Sequence, residues 1–303
     1  MAGFQQLKVT REVDFTGATK LGIGIVSPIG EVLYVDGNSG VDGYGVEARN
    51  PDYPLKTITK ALSLCTDNKD DYIFVKDGWN QDAGAVAVNK HRVHIIGIGN
   101  RLSPYVMQAA TGDTHIFIVT GDYVEIAGFA FGGGATKAGI NPYGALGLWV
   151  HDCFFGDADV GDTPREGILC EPGTVNAYML IEDCIFAGSG GTSQGKISAY
   201  GIYAGGTNIC RGSVFRNNIF GQIPTTALHF TNMYGGFVIG NMIACDADTA
   251  GAGIVMSGST GCLIANNTAN YGKISMTANP WVDTGSVNCW TGNVEGDAYR
   301  LPA

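Results

Sequence analysis

The residues of this chain best suited to chemistry are carboxylates. Asp157, Asp159, Asp162, Glu166 and Glu171 fall within one stretch, GDADVGDTPREGILCEPG. A glycoside hydrolase needs two such groups facing each other across the scissile bond, roughly 5–9.5 Å apart, and this stretch is the best local supply. A lyase needs a basic residue beside acids, and Arg165, Arg211 and Arg216 are the candidates near them. A polar loop whose acids solvate a turn accounts for the same residues without any reaction, and it is the reading the pattern favours.

The other reactive types are dispersed. His91 and His94 lie three apart and read as a surface-facing strand pair, and His115, His151 and His229 each stand alone. A metal site needs three or four converging ligands, so neither a metal nor any other cofactor is expected. The glycine runs GFAFGGG (128–134) and GSGG (188–191) lack the helix and Lys of a phosphate cradle and read as turns. Aromatic residues are more suggestive. Tyr143, Trp149, Tyr200 and Tyr203, with Phe154, Phe155, Phe230 and Tyr234 around them, are candidates for a face that stacks sugars or packs subunits. Strand alternation turns about half of any such set inward.

Composition narrows the partners. The 303 residues carry a formal charge of −10, with only 15 % charged residues and 46 glycines. That is too apolar for disorder and suits many short strands joined by tight turns. The 18 basic residues are scattered, so no nucleic-acid footprint is expected. No segment approaches the ~18 apolar residues of a membrane span, and the opening MAGFQQLKVTREVDF is not a signal peptide. No membrane association is expected, and synthesis is expected in a host cytoplasm. The eight cysteines form no CxxC pair and read as reduced, small, buried hydrophobes.

Internal repeats decide the fold. Segments such as VHIIGIG, EIAGFAF, VHDCFFG, IEDCIFA and FRNNIFG share one pattern. Aligned on Gly97, Gly128, Cys153, Cys184, Asn218, Asn241, Asn267 and Asn293, they step by 31, 25, 31, 34, 23, 26 and 26 residues. A second column, Ile140, Ile168, Ile202, Leu228 and Ile254, steps by 28, 34, 26 and 26, and Gly precedes most of its members. Two strand columns that keep the same variable period describe a solenoid in which each turn lies over the last. Asn218, Asn241, Asn267 and Asn293 then form a structural ladder at one turn, where Asn tolerates left-handed backbone and bonds the next coil. The fold expected is all-β, a right-handed parallel β-helix over residues 33–300, with an N-terminal arm (1–32) and a short capping α-helix over 54–66 after Pro54.

The leader motifs YVD, PLKTITKAL and DYIFVKDG, followed by VHIIGIG, resemble the pectin-lyase-like β-helix superfamily over roughly residues 32–300. The leader is of a kind common to bacterial surface proteins and phage virion proteins. The resemblance implies the fold strongly. It implies little about activity, because the superfamily holds lyases, hydrolases, tailspikes and catalytically silent proteins, and the hydrolase signatures (NTD, paired DD, GHG, RIK) are absent. The function read from this is a structural phage virion protein, of decoration or tailspike-like type. It would be displayed on a capsid or tail, homotrimeric, and anchored to capsid or tail proteins through residues 1–32. The alternatives are a tailspike-type polysaccharide depolymerase and a non-catalytic adhesin that binds surface glycans.

Overall fold

The computed structural model describes residues 30–82, 84–99, 105–109, 114–132, 137–156, 165–171, 173–187, 197, 199–205, 209–221, 223–245, 252–271 and 280–297. The expected arm, apart from residues 30–32, lies outside the described residues. These short strands build a right-handed parallel β-helix. Among the described residues, sheets of ten, nine and eight strands run the length of the rod, and all pairings within them are parallel. A three-stranded sheet, Val175–Ala177, Ile209–Arg211 and Met233–Tyr234, adds a fourth side to the middle coils. One coil shows the order: Leu180–Glu182 in the ten-stranded sheet, Ile185–Ala187 in the nine-stranded sheet, Tyr200–Ala204 in the eight-stranded sheet, then Ile209–Arg211.

The core follows from strand alternation, which sends every second side chain inward. In the eight-stranded sheet Val86, Phe117, Ile140, Ile168, Ile202, Leu228, Ile254 and Trp281 are successive register partners. In the nine-stranded sheet Phe131, Phe155, Phe186 and Phe220 form a buried stack with ring centroids 4.6, 4.6 and 4.7 Å apart. This stack explains the glycines that precede the second column. A Cβ at Gly139, Gly167 or Gly201 would stand 3.0, 2.5 or 2.6 Å from the ring of Phe155, Phe186 or Phe220.

The asparagine column is a hydrogen-bonded ladder. The backbone N–H groups of Asn218, Asn241 and Asn267 donate to the side-chain Oδ1 of Asn241, Asn267 and Asn293, at 3.0, 2.9 and 3.0 Å. Each side-chain Nδ2 donates to a backbone carbonyl of the preceding coil, Ile181, Phe215 and Val238 for the first three. Cys184 extends the column, its N–H donating to Asn218 Oδ1 at 3.1 Å.

Two details differ from the sequence reading. The left-handed backbone belongs to the residue before each ladder position: Asn217, Gly240, Asn266 and Gly292 have φ between 55° and 66°. That residue turns the corner and lets the following Asn point inward. The glycine end of the column is also displaced by one residue. Glu125 pairs with Trp149 and Ala130 with Phe154, which sets Gly128 beside Asp152 and Phe129 beside Cys153.

The capping helix, α1, spans Ile58–Leu64, shorter than the expected 54–66. Leu55 is extended and forms a parallel bridge to Val35, its N–H donating to Tyr34 O at 2.8 Å. The N-cap is Thr57, whose side chain accepts from the Lys60 N–H. Ile58, Ala61 and Leu62 are buried against strands Val32–Val35, Asp71–Lys76 and Val86–Val88, so α1 shields the first coils. Cys65, Cys153, Cys170, Cys184, Cys210 and Cys262 are buried. Cys289 is exposed, because it follows Leu263 in a row on the outer face of the ten-stranded sheet.

The ring stack and the glycines opposite it leave no room for a methyl group. Gly167→Ala would also set its Cβ 2.7 Å from Gly201 O. It is expected to destabilise the chain by about 1–3 kcal/mol, read as a lower urea midpoint with an unchanged slope.

Candidate functional site

On the outer face of the eight-stranded sheet, four successive coils line a pocket of about 460 Å³ with Ala85, Thr114, His115, Ile118, Lys137, Asn141, Tyr143 and Glu171. Its polar groups come from strand ends. Thr114 and His115 precede the strand Phe117–Val119, Lys137 and Tyr143 flank Ala138–Pro142, and Glu171 follows Glu166–Cys170. Asn141 faces outward because Ile140 beside it fills the core, yet the pocket walls leave it only 1 % exposed.

The hydrogen bonds settle most of the proton positions. The Ala138 N–H donates to His115 Nδ1 at 3.2 Å, so that nitrogen is an acceptor and Nε2 carries the proton. Nε2 donates to Glu171 Oε1 at 3.0 Å, and Lys137 Nζ lies 3.6 Å from the same oxygen. Burial works against the Glu171 charge, but the His115 bond, the Lys137 charge and a bond from Asn141 outweigh it and hold the pKa below the usual range. Glu171 is therefore ionised at neutral pH. Among the described residues, two buried oxygens of the pocket, Thr114 Oγ1 and Asn141 Oδ1, find no hydrogen-bond partner. A buried polar atom left unpaired costs roughly 1–3 kcal/mol, so a bound molecule that donates to these atoms would recover that energy.

The face continues along the rod. Glu166 pairs with Tyr200 and Leu169 with Tyr203 in the next coil, two rungs, roughly 10 Å, beyond the Tyr143 coil. The Tyr200 and Tyr203 rings stack with centroids 4.5 Å apart, and His229 packs edge-on to Tyr203 at 5.1 Å. Glu166 is buried beside Arg165, whose Nε lies 3.2 Å from Oε1. Burial raises its pKa, and Arg165 offsets that only in part.

Of the residues singled out in the sequence, Tyr143, Tyr200, Tyr203, Glu166 and Glu171 thus share one face. Asp157, Asp159 and Asp162 lie outside the described residues. Trp149 belongs to the ten-stranded sheet, where its indole N–H donates to Glu182 Oε1 at 2.9 Å and its ring stacks on His151. Arg216 is on that sheet too, bonded to Glu182 Oε2 at 2.6 Å. Thr114, Lys137 and Asn141 escaped the sequence reading, and His115, read there as standing alone, meets a partner 56 residues away.

The ten-stranded sheet carries a second polar cluster. Glu125 receives His94 Nδ1 at 2.5 Å and His151 Nε2 at 2.8 Å, and His151 Nδ1 lies 2.9 Å from Asp152 Oδ2. Arg92, whose left-handed φ of 56° interrupts the strand approach, binds Asp70. His91 and His94 consequently do not act as a pair, since His91 accepts from the Asp122 N–H and His94 turns to Glu125. Hydrogen bonds from His151 and His94 depress the Glu125 pKa to about 2. For His151, burial opposes the charge, but the bonds to Glu125 and Asp152 prevail and raise the pKa from 6.5 to about 9.

No protein-family model matches the chain, and no curated protein matches its sequence. Solved structures do match its fold. The lacto-N-biosidase of Eubacterium ramulus superposes with a TM-score of 0.57 at 12 % identity, over 88 % of this chain and 55 % of that one. An alginate lyase from a Paenibacillus species gives 0.52 at 16 %, over 79 % and 95 %. PfbA, a surface adhesin of Streptococcus pneumoniae, gives 0.52 at 12 %, over 75 % and 72 %. At these identities the likeness establishes the architecture alone, a parallel β-helix.

A folded-state pKa raised above the unfolded value stabilises fully below the unfolded pKa and is lost as pH climbs through the folded one. The His151 cluster should therefore stabilise the chain up to about pH 6.5 and lose that contribution by about pH 9. Melting temperatures measured across this interval should fall in the wild type and change less in His151→Gln.

Proposed function

We propose that this chain is a rigid β-helical surface protein of a phage-type virion that binds glycans, without cleaving them, in the groove on its eight-stranded sheet. The observation that carries this reading is the pair of partnerless oxygens, Thr114 Oγ1 and Asn141 Oδ1, in a pocket with the Tyr143 ring at its edge, 46 % exposed. Sugars offer what such a pocket lacks: hydroxyl donors for buried acceptors, and a C–H face that packs on an aromatic ring. The Tyr200–Tyr203 pair two rungs away would hold further residues of the same chain. Fold-level support comes from the β-helices named for glycans, the alginate lyase and the lacto-N-biosidase, and from the surface adhesin.

Glycan arrays followed by calorimetry test this reading. The folded wild type should bind a glycan, and Tyr143→Ala, an exposed substitution that spares the core, should weaken it by about tenfold or more. Failure of the wild type to bind any glycan overturns the proposal.

A depolymerase is the second reading, favoured by one observation: burial raises the pKa of Glu166 while its neighbours lower that of Glu171. Carboxyls pushed in opposite directions are how an acid and a base are prepared, but Glu171 follows the extended strand that Glu166 opens, roughly 16 Å away, which exceeds the ~5–9.5 Å span of a hydrolase pair. New reducing ends in the same glycan mixtures would favour this second reading over binding alone.

The virion setting is supported by an apolar row on the outer face of the nine-stranded sheet. Ile185, Ile219 and Met242 are successive register partners, and they are 41, 38 and 43 % exposed. Thr268 interrupts the row before Val294, 56 % exposed. Packing such rows together in a homotrimer would cover apolar surface that a monomer leaves in water. Anchoring to capsid or tail proteins through residues 1–32 is part of the same proposal. Sedimentation should show a trimer for the wild type and a shift to monomer for Ile219→Lys.

A further inference from the structure

We propose that the pocket around Asn141 selects a neutral sugar that offers hydrogen-bond donors, hydroxyls or an acetamido N–H, and rejects uronate chains. This inference rests on the glycan-binding reading and names the class of ligand.

Asn141 has one amide and two faces to satisfy. Its bond to Glu171 has to come from Nδ2, because an ionised carboxylate only accepts. With the amide in that orientation Oδ1, a pure acceptor, is the partnerless atom. Thr114 Oγ1, the other, accepts or donates.

The imidazole and ammonium donors that would greet an anion are engaged. His115 Nε2–H is spent on Glu171, and its Nδ1 accepts from the Ala138 N–H, so the ring presents no free N–H to a ligand in this arrangement. Lys137 is the cation among the lining residues, and it stands 3.6 Å from Glu171. Its charge is matched by that carboxylate, and the pocket has no surplus positive charge. The whole chain carries −10.

A uronate carboxylate entering here would meet an ionised Glu171 and the bare oxygen of Asn141. Like charges and facing acceptors repel, and in a partly buried site that repulsion is weakly screened. A hydroxyl or acetamido N–H would instead donate to Asn141 Oδ1, and a second hydroxyl would pair with Thr114 Oγ1. The volume of about 460 Å³ is in the ~300–1,000 Å³ range of small-ligand sites, and Tyr143 at the edge packs the C–H face of the ring.

The test compares three probes on the full chain by calorimetry: a neutral hexose oligomer, an N-acetylglucosamine oligomer and a polygalacturonate oligomer of the same length. One or both uncharged probes should bind at least about tenfold more tightly than the polygalacturonate, with affinity insensitive to added salt. Thr114→Val removes a hydroxyl without a partner and keeps the side-chain shape. It should leave the melting temperature unchanged or higher while weakening the uncharged probe severalfold. Tighter binding of polygalacturonate would overturn the inference and leave the glycan-binding reading standing. Unchanged affinity in Thr114→Val would remove the sugar from this pocket, and silence from all three probes in a folded protein would sink the inference together with the reading beneath it.

Discussion

Every feature of this protein depends on one constraint: each coil must hydrogen-bond in parallel register to the coil before it, because the strands are too short to be stable alone. Strands of two to six residues bury little by themselves. Stacked in register, they let identical interior positions meet every ~4.8 Å, and each interior row becomes a continuous file of side chains. The Phe131 to Phe220 stack, the aliphatic file from Val86 to Ile254 and the asparagine ladder are three solutions to the same requirement. The ladder answers it most completely, since each buried amide satisfies a backbone N–H at the corner, where strand pairing is interrupted.

The same register makes the outer surface. Once the interior files are set, every outward side chain has fixed neighbours one coil above and below. Residues far apart in the chain then meet in rows, such as Glu125 with His94 and His151, or Glu182 with Trp149 and Arg216. The pocket is the place where such a row lacks internal compensation. On the ten-stranded sheet Glu125 is met by His94 and His151, and Glu182 by Trp149 and Arg216. On the eight-stranded sheet His115, Lys137 and Asn141 all converge on Glu171 and leave two oxygens over. That imbalance, more than the shape of the cavity, marks the face as one that meets something else.

The architecture was legible in the chain because its signal is periodic and repeated. Ile140, Ile168, Ile202, Leu228 and Ile254 announce a file without any knowledge of the coils, and Asn218, Asn241, Asn267 and Asn293 do the same for the corner. Errors arose where a single residue decides the alignment. Gly128 resembles the corner glycines Gly240 and Gly292 and was set opposite Cys153, but a corner glycine is the left-handed residue, one step before the ladder position. The short helix was drawn too long because Pro54 suits a first helical turn, while pairing of Leu55 with Val35 holds that segment extended.

Fold class and two of the interior files, Ile140 to Ile254 and Asn218 to Asn293, follow from the order of residues alone, since alternation and repeat are local properties that successive coils restate. Tyr143, Glu166 and Glu171 could be noticed as types. Their partners could not, because His115, Lys137 and Asn141 reach Glu171 only across the stacked coils, at separations set by loops of unequal length. Whether a carboxylate ends up ionised, as Glu171 does, or tilted toward its acid form, as Glu166 does, depends on burial and on donors from other coils, and those exist only once the rungs are stacked.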